Sequence, residues 1–304
     1  MTKQAADARM ARYRAPDCIG PVAPPARPVW KLPRGAWDTH FHVLGPQSRF
    51  PYAATRKYTP PDAALASALK LHDLLGIDRG LVVHANTHGF DNDVDIDAVA
   101  RANGRYLGVV RLDASATPAQ CERLHAQGIR GVRFAFNPQH GGNLDLAAFN
   151  RILECMRALG WFVELHFDGG ALPALEEWLR SIPVDVVIDH FGRIDPAAGI
   201  DQPPFRILCE LARRDNFWIK ISGADRLTRL GHPYADVAPF ARRLAEVCPE
   251  RLLWGTDWPH TGVFDPGRMP DDGKLVDTLV AFVDDEALRC RILVDNPERL
   301  LRLR

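Results

Sequence analysis

The chain has no charge imbalance. Its 304 residues hold 38 Lys+Arg against 38 Asp+Glu. There is no global basic surface to suggest nucleic acid and no acidic tail to suggest a charged protein partner. No Cys-x-x-Cys pair occurs among Cys18, Cys121, Cys155, Cys209, Cys248 and Cys290. Several of them fall in helical patterns, where a thiol is a small apolar filler, so the reading is reduced buried thiols in a cytoplasmic protein. No uninterrupted apolar run approaches the length of a membrane span. Met1 to Arg14 is polar and charged without an apolar core, so no secretory signal is expected there. No short-period internal repeat is visible. No Gly-rich phosphate loop follows the first apolar segment, which argues against an open doubly wound sheet.

What is present is an ordinary globular profile, 46% hydrophobic and 25% charged, with enough chain to bury a large core. Residues 15–34 carry Pro16, Pro21, Pro24, Pro25, Pro28 and Pro33, the composition of an extended arm. The expected organisation is an arm over 1–34 and a single domain over 35–304. Eight apolar, β-branched or aromatic segments follow: Ala36–Val43, Gly80–Ala85, Tyr106–Leu112, Gly131–Phe136, Trp161–Phe167, Val184–Asp189, Phe217–Ser222 and Arg251–Gly255. Helix-period stretches with start and stop signals separate them. Asp62 and Gly76 bracket one, Thr117-Pro118 and Gly128 a second, Asp145 and Gly160 a third, and Pro203-Pro204 opens another. Strands that alternate with helices and are buried on both faces imply a parallel sheet. Eight such units predict an α/β fold, a (β/α)8 barrel.

In that fold chemistry sits at the C-terminal ends of the strands. Strand 1 ends Asp38-Thr39-His40-Phe41-His42, where i and i+2 project together, so His40 and His42 share a face. Strand 2 runs into His84-Ala85-Asn86-Thr87-His88, and strand 3 ends Arg111-Leu112-Asp113. Strand 4 gives Arg133, with Asn137, Gln139 and His140 in its loop. Strand 5 gives Glu164, His166 and Asp168, and strand 6 Asp189-His190-Phe191-Gly192-Arg193. Strand 7 gives Ser222 to Arg226, and strand 8 Gly255-Thr256-Asp257-Trp258-Pro259-His260. Four imidazoles and a carboxylate converging on one rim are hard to explain as packing.

His40-Phe41-His42, His166, His190 and Asp257 at those strand ends resemble the amidohydrolase superfamily. The segments Val187 to Arg193 and Leu253 to His260 narrow the likeness. So do Phe50-Pro51-Tyr52 with Arg56-Lys57-Tyr58, and the closing Asn296-Pro297-Glu298-Arg299-Leu300. Together they resemble the lactonase branch that includes 2-pyrone-4,6-dicarboxylate lactonase, 4-sulfomuconolactonase and sugar lactonases. The resemblance covers Trp37 to the C-terminus and implies hydrolysis of a lactone at a strand-end site. The metal-free pyrone lactonase has a Tyr where this chain has His166, and an Arg about where Gln139 stands. The first difference restores a ligand set of His40, His42, His166 and Asp257. The second removes one carboxylate clamp and points to a related lactone.

The expected mechanism is ring opening. Asp257 takes a proton from water, the hydroxide attacks the lactone carbonyl, and His40, His42, His190 or a metal stabilises the oxyanion. One divalent ion is expected, Zn²⁺ before Mn²⁺, with metal-free activation as the alternative. Strand 4 lacks a Lys or Glu to bridge two ions. Arg133 and Arg226 are candidate clamps for an acid group, the alternative being salt bridges to Asp225 or Asp113. Asn86, His88, Gln139, Tyr58 and His260 are further candidate substrate contacts. Glu164 is a candidate buried partner of the site and Arg193 a candidate brace of the rim. His72 and His125 lie in helical stretches and are expected at the surface. The partner is a small anionic lactone, with no nucleic acid or membrane, and oligomeric state is open. A metal-dependent decarboxylase and a non-catalytic binding barrel are the rival readings.

Overall fold

Eight short apolar segments, each too buried to leave a backbone polar group unpaired, hydrogen-bond side by side in chain order. A computed structural model describes residues 15–136 and 145–303. Its eight strands run parallel in the order β1 to β8. They are β1 Trp37–Phe41, β2 Arg79–Val83, β3 Tyr106–Val110, β4 Ile129–Ala135, β5 Phe162–His166, β6 Val186–Ile188, β7 Phe217–Lys220 and β8 Leu252–Leu253. Most stop short of the segments predicted from sequence, because the polar strand ends leave the ladder to form the rim. The ring closes through the chain beyond β8. Thr39 N donates to Trp254 O at 3.0 Å, Asp257 N to His40 O at 2.7 Å, and His42 N to Trp258 O at 2.8 Å.

Helices lie between the strands and turn their apolar faces to the barrel's outer wall. The Thr117 side chain caps the helix Pro118–Ala126 through Gln120 N, and Asp145 caps Leu146–Leu159 through Ala148 N. Asp62 does not cap. The first helix starts at Leu65, and Asp62 instead accepts from Gln47 N at 3.0 Å. His72 is no surface residue: it is fully buried between that helix and the barrel. His125 is half-buried and accepts a hydrogen bond from Trp161 Nε1 at 3.0 Å. Of the six free thiols, Cys290 alone is half-buried and the rest are buried.

The described part of the Pro-rich arm runs over its own barrel. Cys18 N donates to Thr59 O and Ile19 N to Val263 O. Ala26 N donates to the Asp271 carboxylate, and Val29 N and Trp30 N to Asp277. Among the described residues no helix is long and apolar enough to cross a membrane.

Inside the barrel, period-2 alternation sorts the side chains. Trp37, Leu81, Val83, Val109, Phe162, Val187, Trp218 and Leu253 form one inner apolar cluster, joined by Leu300 and Leu301. Their neighbours Val82, Val163, Leu165, Val186, Ile188 and Ile219 face the helices. Two residues past an inner apolar residue, three strand paths turn charged: Phe162 to Glu164, Val187 to Asp189 and Trp218 to Lys220.

Candidate active site

The β1 ladder slips register between Asp38 and Phe41. Trp37 belongs to the inner cluster, yet His40 and His42, at odd spacing from it, face the interior as well. The extra residue changes the parity of the strand, as a β-bulge does, and re-aims both imidazoles. Phe41 between them packs outward against Tyr106 and His72.

Above the apolar cluster lies a buried charged layer. Arg133 donates from Nη2 and Nε to Asp189 Oδ2 at 2.9 and 3.2 Å, and from Nη1 to His84 O at 3.1 Å. Lys220 is ion-paired with Glu164 and lies 3.5 Å from Asp189 Oδ1 and 3.0 Å from His40 Nδ1. Two cations thus face two carboxylates, which is how buried charge is tolerated.

On top of this layer sits Asp257. Its Oδ1 lies 3.5 Å from His40 Nε2, 3.4 Å from His42 Nε2 and 3.8 Å from His190 Nε2. Asp257 and His190 both hold left-handed backbone, φ 63° and 50°, an uncommon conformation for residues with a Cβ. Two glycines permit the close approach. A Cβ on Gly223 would lie 2.7 Å from His190 Nδ1, and one on Gly255 2.5 Å from His40 N.

Burial dominates the electrostatics. It lowers His40 and His166 well below the usual histidine range, helped by Lys220 and Arg133 respectively. It brings His190 down to about 4. Burial alone would raise Asp257, but Arg226 first, then His190, hold it well below the usual carboxylate range. Burial also pushes Glu164 up, with the charge of Asp189, against the pull of Lys220 and Arg133.

A small cavity open to solvent stands over these groups. His42, His166, His190, Asp257, Arg133 and Arg226 line it, as do Asn86 and Tyr58. Other expected contacts do not reach it. His88 is buried against Tyr52 and Pro51 O, and His260 donates to Asp272 Oδ1 at 3.0 Å. In both cases a closer internal partner captures the imidazole. Gln139 lies outside the described residues. The expected arginine clamps are already paired: Arg133 with Asp189, and Arg226 with Asp257, while Arg226 Nη1 donates to Thr261 O at 2.9 Å. Neither partner is one expected from sequence. Arg193, expected to brace the rim, also lines the cavity and has no carboxylate within 4.0 Å among the described residues.

Sequence reasoning also passed over Lys220 and Thr261, and named Asp189 without a role. A lysine two residues before a strand end, on the buried parity of a parallel strand, is signal enough for Lys220, because such a charge must be paired.

Could the site hold a metal? The donor atoms of His40, His42 and Asp257 lie within 4.8 Å of one another, as do those of His40, Asp189 and His190. His166 falls outside both groups and stands beside His190, ring centroids 5.8 Å apart. That departs from the ligand set expected from sequence. His42 donates its Nδ1 proton to Val83 O at 2.7 Å, leaving the Nε2 lone pair turned to Asp257. His40 Nε2, Glu164 Oε1 and Asp189 Oδ1 are buried without hydrogen-bond partners among the described residues. The two carboxylate oxygens lie 3.4 and 3.3 Å from His40 Nδ1. While the Lys220 ammonium donates to Nδ1 at 3.0 Å the imidazole proton sits on Nε2; with that proton moved to Nδ1, facing these two oxygens, Nε2 is free to meet a cation. The residues therefore fit a divalent ion.

Comparison with known proteins agrees with this geometry. The chain is 51% identical over 286 residues to a 4-sulfomuconolactone hydrolase of Rhizobium radiobacter, covering 94% of this chain and 96% of the relative. It is 40% identical over 299 residues to a 2-pyrone-4,6-dicarboxylate hydrolase of Comamonas testosteroni, covering 94% and 96%. A crystal structure of an apo protein from Agrobacterium tumefaciens, 35% identical, covers 91% of this chain and 99% of its own with a TM-score of 0.83. The family model described as amidohydrolase matches residues 37–303. From the bulged His-x-His strand to the closing Asn-Pro-Glu-Arg-Leu, the chain belongs to the amidohydrolase family.

Proposed function

We propose that this protein hydrolyses a lactone that carries an acid group, a ring opening suited to the breakdown of aromatic compounds or sugar acids. One observation carries the reading: a single carboxylate oxygen, Asp257 Oδ1, faces three imidazole Nε2 atoms within 3.8 Å, beneath an arginine-lined cavity. The relatives at 51% and 40% identity bear the names of hydrolases whose substrates carry acid groups. No observation favours the decarboxylase or the binding-only barrel.

Asp257 is ionised across the working range, so it takes a proton from water as the oxygen adds to the lactone carbonyl. His190 is neutral near pH 7. With Ser222 Oγ 3.0 Å from its Nδ1, it can carry its proton on Nε2 and donate to the developing oxyanion. The ring C–O bond then breaks, and protonated Asp257 returns its proton to the leaving oxygen. His40, His42 and Asp257 would hold a divalent ion, Zn²⁺ before Mn²⁺ because two of the three donors are nitrogens. When bound, that ion supplies Lewis-acid polarisation of the carbonyl. Arg193 receives the acid group, because it is the lining guanidinium without a carboxylate partner among the described residues. Its pKa is lowered by burial and by Arg226, so an incoming anion relieves a half-buried cation that no carboxylate ion-pairs among the described residues. One barrel from residue 35 onward suffices for this chemistry, with the arm as its brace.

The test is base consumption on a panel of acidic and neutral lactones, with metal content measured on the same preparation. Acidic lactones should be opened and neutral ones poorly. Asp257→Asn should lose about 10²–10⁴ in kcat with its melting curve preserved. Wild-type kcat in that variant removes Asp257 from the chemistry, and full activity without stoichiometric metal removes the ion.

A further inference from the structure

The carboxylate of Asp38 lies on the opposite side of the β1 wall from the cavity and is fully buried. It takes four hydrogen bonds: Oδ1 accepts from His40 N at 2.9 Å and Thr256 N at 3.1 Å, and Oδ2 from Thr256 Oγ1 at 2.6 Å and His72 Nε2 at 3.2 Å. Two of these residues belong to the site itself or adjoin it. His40 faces Asp257, and Thr256 is the residue before Asp257. The Thr256 hydroxyl also accepts from Trp258 N at 3.1 Å, so it spans the Asp257 turn. Behind His72, the Tyr106 hydroxyl meets Nδ1 at 2.7 Å. The close approach depends on Gly255, where a Cβ would sit 2.8 Å from Asp38 Oδ1.

We infer that Asp38, backed by His72 and Tyr106, is a positioning clamp: through His40 N and Thr256 it sets the separation of His40 from Asp257. The β8 ladder is two residues long; beyond it Asp257 N donates to His40 O at 2.7 Å, and Asp38 adds a side-chain brace to that single main-chain tie between the two residues. The left-handed conformation at Asp257 needs outside support. Asp38 supplies it from one rigid point that also holds the bulged strand bearing both imidazoles. The clamp touches neither cavity nor substrate, and a misplacement near 1 Å can cost about 10²-fold in rate. It therefore acts on kcat and leaves substrate affinity alone.

This inference rests on Asp257 being the general base, so Asp257→Asn is measured alongside. Thr256→Ala removes the hydroxyl that joins Asp38 to the turn, and Thr256→Ser returns it. The expected result is a loss in kcat of about 30- to 100-fold for Thr256→Ala. KM should stay within about threefold, and Thr256→Ser should recover most of kcat. Tyr106→Phe, at the far end, should lose a few-fold in kcat only. Asp38→Asn, if it folds, should resemble Thr256→Ala. Should Thr256→Ala keep wild-type kcat while Asp257→Asn is inactive, the clamp is wrong and the base stands. A loss that appears in KM, or one that Thr256→Ser does not repair, also overturns the clamp. Full activity in Asp257→Asn overturns the base and the clamp together.

Discussion

The same strands build two unlike regions inside one barrel. Towards one end Trp37, Phe162, Val187 and Trp218 interdigitate in an apolar cluster. Two residues further along three of these paths stand Glu164, Asp189 and Lys220, joined by Arg133 and His40 in a buried charged layer. Burial is complete in both, so exposure does not distinguish them. What differs is how they are satisfied. The apolar cluster is held by contact and area, about 1.5–3 kcal/mol for each large side chain buried. The charged layer is held by partners, and each group depends on the others being present. The first region can lose a side chain locally; the second cannot.

The largest expected effect follows from that dependence. Lys220→Met should leave Glu164 and Asp189 buried short of a cation, costing roughly 3–5 kcal/mol in a denaturant titration and lowering kcat as well. Leu81→Ala, in the apolar cluster, should cost about 2–5 kcal/mol, yet the folded variant should retain kcat. A Leu81→Ala enzyme that is folded but as inactive as Lys220→Met would erase the distinction between the regions.

Acid sharpens it next. The unfolded chain binds a proton on His190 near 6.5, the folded site only near 4. Stability should therefore fall as pH drops from 6.5 to 4, by about 3 kcal/mol for this histidine. A melting temperature that is flat across that interval would show the imidazole to be more solvated than its burial suggests. The smallest expected effect is at the mouth. Arg193→Lys keeps the charge and loses the planar fork, and should raise KM for acidic lactones about tenfold with kcat little changed. Equal KM values would return the clamp to Arg226.

The barrel was legible in the sequence because eight apolar segments alternate with capped helices, and local chemistry decides both. The converging residues His40, His42, His190 and Asp257 were legible because strand ends are addressed by position. The pairing of the arginines was not. Arg133 meets Asp189 and Arg226 meets Asp257 across strands distant in sequence, and only the register of the closed ring says which carboxylate lies nearest. His88 and His260 turn away from the cavity for a related reason: a histidine near a rim can meet Pro51 O or Asp272 as readily as the cavity. His72 was misjudged because one polar residue on a helix looks solvent-facing until its buried partners, Asp38 and Tyr106, are known. Lys220 had a readable signal in its strand parity.

The slipped register between Asp38 and Phe41 has a consequence for how this site can change over generations. The imidazoles face inward because the bulge absorbs one extra residue, so the strand encodes its aim in its pairing register. Substitutions elsewhere in the strand are graded: they weaken or strengthen a contact. A slip that regularises the ladder without removing a residue is all-or-none, because it swings His40 and His42 to the helix side while every side chain needed for the reaction is still present; loss of the extra residue Thr39, by contrast, would keep both imidazoles facing inward. A change that lets the ladder pair regularly over all of its residues would thus lose the activity in one step and keep the barrel.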